Sequence, residues 1–150
     1  AEKPFFRDSF RNRRCLAPAD GWYEWKTEGK RKTPYFIHLP GEESFAFAGL
    51  WDKWEGTGVD PFASYAVITK EAHESVSVIH HRMPVILPER HWETWLDASA
   101  SIEKVSTALK DALGGFENRT VSDLVNDVKN EGPELAKTFK RGSQKSFDFL

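Results

Sequence analysis

Two short segments hold most of the residues whose types suit acid–base chemistry. Arg13–Lys26 contains Cys15, the only cysteine of the chain, and one carboxylate, Glu24, between large aromatic residues. Ile79–Pro84 has the sequence IHHRMP and places His80 after an apolar pair. A buried carboxyl keeps its proton to higher pH, and an imidazole exchanges protons near neutrality. The two segments therefore predict a general acid and a proton shuttle that folding brings into one site.

Each of these residues also has an ordinary structural interpretation, and the alternatives stay open at this point. Glu24 would otherwise face solvent and pair with Lys26 or Lys32. His80 would otherwise be a structural histidine. Cys15 sits in a strand-like apolar context, where a cysteine usually packs as a small hydrophobic residue, although a nucleophilic role beside a histidine is the competing hypothesis.

The composition excludes several classes of site. A single cysteine rules out an internal disulfide and a cysteine-based zinc centre. His80 and His81 have no third ligand at a suitable spacing, so we predict no metal and no cofactor. The net charge of −2 gives no overall attraction to nucleic acid, which leaves local basic patches as the alternative. The six tryptophans are interpreted as core residues or as stacking surfaces for bases.

The length of 150 residues fits one domain with its own core. No apolar run approaches the length of a membrane span, and the first 12 residues lack the features of a signal peptide. Cysteine usage fits a reducing compartment, so a cytoplasmic protein is expected. The chain begins with Ala1 and not with methionine, which indicates a processed terminus or a cut into a longer parent.

The elements that must position these residues are mostly strands with helices at the periphery. Predicted helices cover Pro4–Asn12, a segment that begins at Pro88, and Ser101–Leu113. The fold class expected from this order is α+β, with a largely antiparallel sheet that is barrel-like. The predicted strands are Arg14–Ala17, Trp22–Lys26, Tyr35–Leu39, Ser44–Trp51, Phe62–Thr69, Val85–Leu87 and, as a weaker strand or extended segment, Val121–Val128.

The chain resembles the SRAP family, the SOS-response-associated peptidase-like proteins. The resemblance rests on the order and spacing of several elements and runs to about Leu135. These elements are Ala19–Trp25 (ADGWYEW), Ala66–Thr69 (AVIT), Ile79–Pro84 (IHHRMP), Val121-Ser122 and Asn130–Leu135 (NEGPEL).

The resemblance implies a function in abasic-site processing during the DNA-damage response. Family members recognise abasic sites in single-stranded DNA and use an N-terminal cysteine that autocatalytic removal of methionine exposes. The resemblance implies that its amine forms a Schiff base with the sugar aldehyde and that its thiol closes a thiazolidine. By motif position, the assisting glutamate and histidine are Glu24 and His80, Thr69 lines the pocket, and Arg82 contacts the DNA backbone.

The same resemblance implies that part of the family's domain is missing. The N-terminal section with the cysteine nucleophile does not occur in this sequence, and Cys15 lies on an internal strand without a free α-amine. We therefore expect residues 1–136 to form the C-terminal portion of a single SRAP-like domain. We also expect this chain to be unable to form a thiazolidine by itself, and to expose sheet edges or apolar patches.

Residues 137–150 form a basic and then aromatic tail. Gln144, Phe147 and Phe149 have the spacing of a bacterial sliding-clamp-binding peptide, in which apolar side chains anchor in a groove. The alternative is a terminus without a partner.

Two further functions compete with covalent processing of abasic sites. The first is a noncatalytic module that binds single-stranded DNA through the groove around Arg82, which a salt-dependent shift without a covalent species would indicate. The second is a Cys–His hydrolase that uses Cys15, His80 and Glu24, which rapid labelling of the thiol at neutral pH would indicate.

Overall fold

The computed structural model of the chain describes residues 4–58 and 60–139. Gln144, Phe147 and Phe149, the residues of the clamp-binding prediction, lie outside the described residues. The helices are α1 (Pro4–Asn12), α2 (Glu74–Ser77), α3 (Trp92–Leu96) and α4 (Ile102–Lys110), with short 3-10 turns at Pro40–Glu42, Glu89–His91, Asp123–Asn126 and Pro133–Ala136. The strands are β1 (Arg14–Ala19), β2 (Trp22–Glu28), β3 (Arg31–His38), β4 (Phe45–Trp54), β5 (Phe62–Val67), β6 (Thr69–Glu71), β7 (Arg82–Pro84) and β8 (Glu117–Thr120).

These strands form three antiparallel sheets. One sheet has the order β1-β4-β5, a second has the order β2-β3-β8, and β6 pairs with β7 in a two-stranded ribbon. The α+β class with mostly antiparallel sheets is confirmed. The expected closure is not observed, because the described strands make three separate sheets and no closed barrel.

The β2–β3 hairpin is longer than the sequence indicates. A polar loop was expected over residues 27–34, but the strands continue to Glu28 and resume at Arg31. Gly29 takes a positive φ of 61°, a conformation that glycine adopts without a steric cost, so the chain reverses over two residues. The hairpin places Glu24 directly opposite Tyr35.

Two clusters of buried side chains hold the sheets and helices together. The first joins the β2–β3 sheet to the start of β4 and to α2, and the second joins β4 to α3 and α4. The first comprises Trp22, Ile37, Phe45, Val76, Ile79, Met83, Ile86 and Phe116. The second comprises Ala48, Leu50, Val85, Leu87, Trp95, Val105 and Ala108.

A buried arginine ties α1 and β1 to the end of α3. The guanidinium of Arg14 donates to the carbonyl oxygens of Trp95 at 2.6 Å and Asp97 at 2.5 Å. It also donates to the carbonyls of Phe10 at 2.6 Å and Arg11 at 2.8 Å, at the end of α1. Because a buried cation needs partners for its donors, these four bonds fix how the helices sit on the sheet.

Two predicted strands are wrong in position. Val85–Leu87 was expected to be a strand, but the strand is Arg82–Pro84, and Ile86 makes only an isolated bridge to Phe47. The buried run still pairs with β4 through its backbone, because the Ala48 N–H donates to the Val85 carbonyl at 2.8 Å and the Leu87 N–H donates to the Ala46 carbonyl at 3.1 Å. Over Val121–Val128 the structure has a 3-10 turn, and the strand precedes it at Glu117–Thr120. That strand lacks an apolar pattern because it lies at the edge of its sheet, beside β3.

Candidate active site

Glu24 lies on the face of β2 that packs into the core. Trp22, two residues earlier on the same face, is buried, with ring centroids 5.1 Å from Phe116 and 6.2 Å from Phe45. Successive side chains of a strand alternate between its faces, so Glu24 points to the same side as Trp22. The side chain of Glu24 is only 22% exposed to solvent. An acidic residue thus stands where the aromatic core opens towards solvent.

His80 is positioned by a tight turn after α2. The N–H groups of Ile79 and His80 both donate to the carbonyl oxygen of Val76, at 2.8 and 3.1 Å. Val76 and Ile79 are buried in the core, whereas the side chain of His80 is 37% exposed. The buried pair therefore anchors the turn and leaves the imidazole at the surface of the molecule, next to β2.

The structure brings these two predicted residues together. Nδ1 of His80 lies 3.9 Å from Oε1 of Glu24. That distance is too long for a direct hydrogen bond and short enough for charge attraction. A polar atom that lies to one side of the pair can hydrogen-bond to both Nδ1 and Oε1. The alternative pairing of Glu24 with a lysine is not observed, since Lys26 pairs with Glu28 at 2.9 Å.

The surroundings of Glu24 favour its protonated form. Burial raises the pKa of the carboxyl, and the His80 ring, the Trp25 backbone N–H and the His81 ring oppose this rise only in part. A carboxyl with a raised pKa can donate a proton at a pH where an exposed glutamate cannot. Sequence reasoning did not assign His81 a part, yet its ring lies 4.6 Å from that of His80.

His80 has a partner in either protonation state. Its Nδ1 lies 2.9 Å from the carbonyl oxygen of Arg82 and 3.2 Å from the Arg82 N–H. A protonated Nδ1 donates to the carbonyl, and an unprotonated Nδ1 accepts from the N–H. The ring can therefore take up and release a proton without losing its place, as a proton shuttle requires.

Thr69 and Arg82 are also neighbours. Nη2 of Arg82 donates to the backbone oxygen and to Oγ1 of Thr69, both at 2.8 Å. The two residues lie on the paired strands β6 and β7. The backbone of Arg82 contacts the His80 ring, and its exposed guanidinium extends to Thr69. Arginine presents several donors in one plane, which suits a phosphate group.

Cys15 lies elsewhere. It is on β1, in the sheet that does not contain Glu24, and no contact joins it to Glu24 or His80 among residues 4–58 and 60–139. Its thiol sulphur packs against the backbone of Gly49, only 2.9 Å from the position that a Cβ on this glycine would take. Burial raises the pKa of the thiol, which disfavours the reactive thiolate. The geometry therefore supports a packing role and argues against a Cys–His nucleophile.

The far face of the β2–β3–β8 sheet carries a second cluster that sequence reasoning missed. The ring of Phe36 lies 5.3 Å from Tyr23 and stacks on His38 at 5.8 Å. The Arg119 guanidinium lies 5.0 Å over Phe36 and bonds to Nε2 of His38 at 3.1 Å. The alternation of strand residues was the only signal available, because Arg119 is distant in sequence and lies on an unpredicted strand.

The described part of the chain has neither a metal-binding cluster nor a membrane-spanning helix. No group of three or more histidine, cysteine, aspartate or glutamate side chains there has an arrangement that would hold a metal ion. No helix among the same residues has the length and apolar character needed to cross a membrane.

Comparison with known proteins connects this geometry to one family. The family model described as SOS response associated peptidase (SRAP) matches residues 1–128. The abasic site processing protein YoqW of Bacillus subtilis is 38% identical over 138 residues, which is 90% of this chain and 62% of that protein. The abasic site processing protein HMCES of Gallus gallus is 34% identical over 155 residues, covering 90% of this chain and 46% of that protein.

A solved structure supports the same relationship. The crystal structure of a protein from Bacteroides thetaiotaomicron superposes with a TM-score of 0.80 and 27% identity, covering 93% of this chain and 62% of that one. The chain thus spans about three fifths of the length of the bacterial proteins it matches.

Proposed function

The chain belongs to the SRAP family, and we propose that it supplies the acid–base residues of a site that processes abasic sites in single-stranded DNA. The observation that carries this proposal is the pairing of Glu24 with His80 at 3.9 Å, from distant parts of the sequence. The names of the relatives YoqW and HMCES supply the class of lesion. We further propose a cytoplasmic, nucleoid-associated location, which the names of these DNA-processing relatives support.

The proposed reaction needs one acid and one base. The open-chain sugar of an abasic site carries an aldehyde, and a primary amine adds to its carbon. The resulting carbinolamine loses its hydroxyl as water when an acid protonates it, which leaves an imine. A thiol then adds to the imine carbon, the nitrogen regains a proton, and a thiazolidine results. No oxidant or reductant is consumed.

Glu24 is the proposed acid and His80 the proposed base. A carboxyl whose pKa burial has raised can protonate the departing hydroxyl. His80 takes a proton from the attacking ammonium or thiol, and the Arg82 carbonyl, 2.9 Å from Nδ1, accepts a hydrogen bond from the protonated ring. The proposed place of the reacting oxygen is to one side of the pair, within hydrogen-bond reach of both Nδ1 and Oε1.

Arg82 is the proposed DNA contact, and Thr69 is the proposed pocket-lining residue. Only Nη2 of the Arg82 guanidinium is engaged within the residues that the structure describes, so its other nitrogens can bind a phosphate oxygen. Thr69 holds the guanidinium in place through its backbone oxygen and its hydroxyl.

We propose that the nucleophile is the N-terminal cysteine of the family and not Cys15. The test is incubation of the chain with single-stranded DNA that contains one abasic site, followed by native and denaturing gels. We expect a salt-sensitive native complex and no adduct on the denaturing gel. A covalent adduct that Cys15→Ala abolishes would overturn this assignment.

Clamp binding by Gln144, Phe147 and Phe149 stays a separate prediction. Truncation after Gly142 should reduce affinity for a bacterial sliding clamp at least tenfold, because the apolar anchors are lost. Equal binding by the full and truncated chains, or no binding by either, would contradict the prediction.

A further inference from the structure

His73 begins the helix α2 and lies outside the proposed acid–base pair. Its Nδ1 accepts a hydrogen bond from the Ser75 N–H at 3.2 Å, and its carbonyl oxygen accepts from the N–H groups of Val76 and Ser77, both at 2.9 Å. Serine, threonine, aspartate and asparagine are the usual residues at this position of a helix, and histidine is not among them. Because α2 has only four residues, this one cap stabilises a large part of it.

Backbone donors determine the proton positions in this cluster. Since Nδ1 of His73 accepts from an N–H group, it carries no proton, and the Ser75 hydroxyl, 3.0 Å away, donates to it. Oγ of Ser75 in turn accepts from the Phe116 N–H at 3.1 Å, and the Gly115 N–H approaches Nδ1 to 3.4 Å. His73, Ser75 and Phe116 form a strut that ties the start of α2 to the residue before β8.

The strut connects the segment that carries the proposed base to the strand that carries the proposed acid. The buried ring of Phe116 lies 5.1 Å from the ring of Trp22, and Trp22 shares its face of β2 with Glu24. At the other end, the N–H groups of Ile79 and His80 both donate to a carbonyl oxygen of α2. One continuous path of contacts therefore relates the position of His80 to that of Glu24.

The His73 ring has little freedom to move. A Cβ on Gly114 would lie 2.7 Å from Cδ2 of His73, so the ring packs directly against the backbone of that glycine. The His73 N–H contacts Sδ of Met83 at 3.2 Å, and the Ala72 N–H donates to the His81 carbonyl at 3.0 Å. These contacts close the segment that leaves β6 and returns at β7, and the proposed base lies within it.

We propose that His73 is a positioning residue, which sets the distance between Glu24 and His80 through the strut. An ordinary helix cap would only stabilise α2, whereas this cap also reaches the residue that packs on the Glu24 strand. Reacting groups need close placement, and a misplacement of about 1 Å can cost about 100-fold in rate. The inference rests on the function proposed above, and it adds a residue whose effect on the reaction is indirect.

The test is the rate at which the aminothiol cysteamine forms a thiazolidine with single-stranded abasic DNA in the presence of saturating protein. His73→Ala removes the acceptor and should lower the acceleration by about tenfold or more, while the Kd for the DNA stays within about twofold of the wild type. A residue that only maintained stability would leave the rate of the folded protein unchanged. Circular dichroism establishes that each variant is folded.

Two other replacements of His73 separate the acceptor atom from the rest of the side chain. His73→Asn places Oδ1 where Nδ1 stands and should accelerate the reaction to within about twofold of the wild type. His73→Gln moves the oxygen one bond further along the side chain and should lose the acceleration as His73→Ala does. Gly114→Ala keeps every donor and acceptor but displaces the ring, and it should also lower the rate.

Ser101→Ala is the matched control for the loss of a helix cap. Oγ of Ser101 accepts from the Lys104 N–H at 3.3 Å at the start of α4, which carries no residue of the proposed site. This variant loses the same kind of hydrogen bond as His73→Ala, so it should lose stability and keep the rate within about twofold of the wild type.

A second measurement needs no DNA. His80 opposes the rise that burial causes in the pKa of Glu24, so His80→Asn should raise that pKa further, as followed by the NMR shift of the Glu24 carboxyl carbon. Because His73 sets the distance between the two groups, the rise caused by His80→Asn should be at most about half as large in the His73→Ala protein.

Four outcomes would overturn the inference: an unchanged rate with folded His73→Ala, no rescue by folded His73→Asn, an equal loss of rate with Ser101→Ala, or an equal rise of the Glu24 pKa in both backgrounds. Absence of any acceleration by the wild type would instead contradict the function proposed above. In that case the carboxyl titration alone decides whether His73 sets the distance between Glu24 and His80.

Discussion

Glu24 shares its face of β2 with a core tryptophan, and this position makes its ionisation costly. Burial raises the pKa of the carboxyl above its ordinary value of 4.5. His80, 3.9 Å away, recovers only part of that cost by charge attraction. Side chains whose ionisation lowers the stability of the fold are found mainly at functional sites, where residues are selected for their chemistry and not for stability.

Replacement of Glu24 by glutamine should make the protein less sensitive to alkaline pH. In the wild type, the favourable contribution of the protonated carboxyl is complete below the ordinary pKa of 4.5 and is lost as pH rises through the higher folded-state pKa. Glu24→Gln has no such loss. We therefore expect the urea midpoint of Glu24→Gln, measured relative to that of the wild type, to be higher at pH 8 than at pH 4.

The exposed Glu117→Gln variant is the control for this pH experiment. It should change the two urea midpoints by similar amounts. A difference between Glu24→Gln and wild type that is the same at both pH values would contradict a raised pKa for Glu24.

Arg82 should contribute to DNA affinity through charge. Arg82→Ala is expected to weaken binding of single-stranded DNA about tenfold and to lower the slope of log affinity against log salt by about 0.7, the value for one phosphate contact. Fluorescence anisotropy at several salt concentrations measures both. Arg31→Ala, an exposed arginine at the start of β3, is the matched control and should bind within twofold of wild type. Equal losses of DNA affinity in the two variants would contradict a specific role for Arg82.

At the scale of elements, the junction of α1, β1 and α3 depends on one guanidinium. Arg14 donates to four carbonyl oxygens at the ends of α1 and α3, of which the Asp97 carbonyl also accepts from the Ala100 N–H. The guanidinium carbon of Arg14 also lies 5.7 Å from the centroid of the Trp95 ring. This contact connects the junction to the second core cluster. Sequence reasoning placed Arg14 at the start of a predicted strand and assigned its side chain no partners within the fold, because backbone carbonyl acceptors have no signal in the sequence.

Loss of that guanidinium should be costly. We expect Arg14→Ala to lower the free energy of unfolding by about 3 kcal/mol, since the buried Trp95 carbonyl and three part-buried carbonyls lose this donor and the Arg14 side chain leaves a gap. Arg14→Lys should recover part of this loss, because an ammonium cannot reach all four oxygens. Arg11→Ala, whose side chain is exposed, should change stability by less than about 0.5 kcal/mol. Urea unfolding provides the comparison, and equal effects of Arg14→Ala and Arg11→Ala would contradict the assigned role.

The elements that were predicted well have patterns that extend over their whole length. Pro4–Asn12 was predicted with its observed bounds, because proline begins it and its phenylalanines alternate with charges at helical spacing. β8, by contrast, was missed, since Glu117–Thr120 pairs at an edge and needs no apolar residues. α2 was missed because only four residues are helical, held by the His73 side chain at its N-terminus.

Glu24 and His80 were candidates from their residue types and local context, and the family resemblance gave them their proposed roles; the roles themselves stay predictions. From residue types alone, an ion pair between Glu24 and a lysine was an open alternative. The partner of Glu24 depends on which face of β2 lies next to the turn after α2. That relation is a property of the assembled sheets. The His81 contribution and the Arg119–Phe36–His38 cluster were missed for the same reason, since each joins residues that are far apart in sequence.

At the scale of the whole molecule, two clusters of buried residues support an acid–base pair. The match with YoqW and with the Bacteroides structure covers about three fifths of each protein. The division of labour that we propose follows from this: the described residues supply Glu24, His80 and Arg82, and the nucleophile comes from the part of the family domain without a counterpart here.

A small aminothiol allows the central claim to be tested on this chain alone. Cysteamine carries the amine and thiol of an N-terminal cysteine and forms a thiazolidine with the aldehyde of an abasic site. The measurement is the rate of that reaction on single-stranded abasic DNA, followed by mass spectrometry, with and without saturating protein.

We predict that the wild-type chain accelerates thiazolidine formation about 100-fold, as general acid–base catalysis typically does. Glu24→Gln and His80→Asn should each lose most of that acceleration while DNA binding persists, and Glu117→Gln should keep it. Equal rates with the wild type, Glu24→Gln and no protein would contradict the assignment of Glu24 and His80 as the acid–base pair of an abasic-site processing protein.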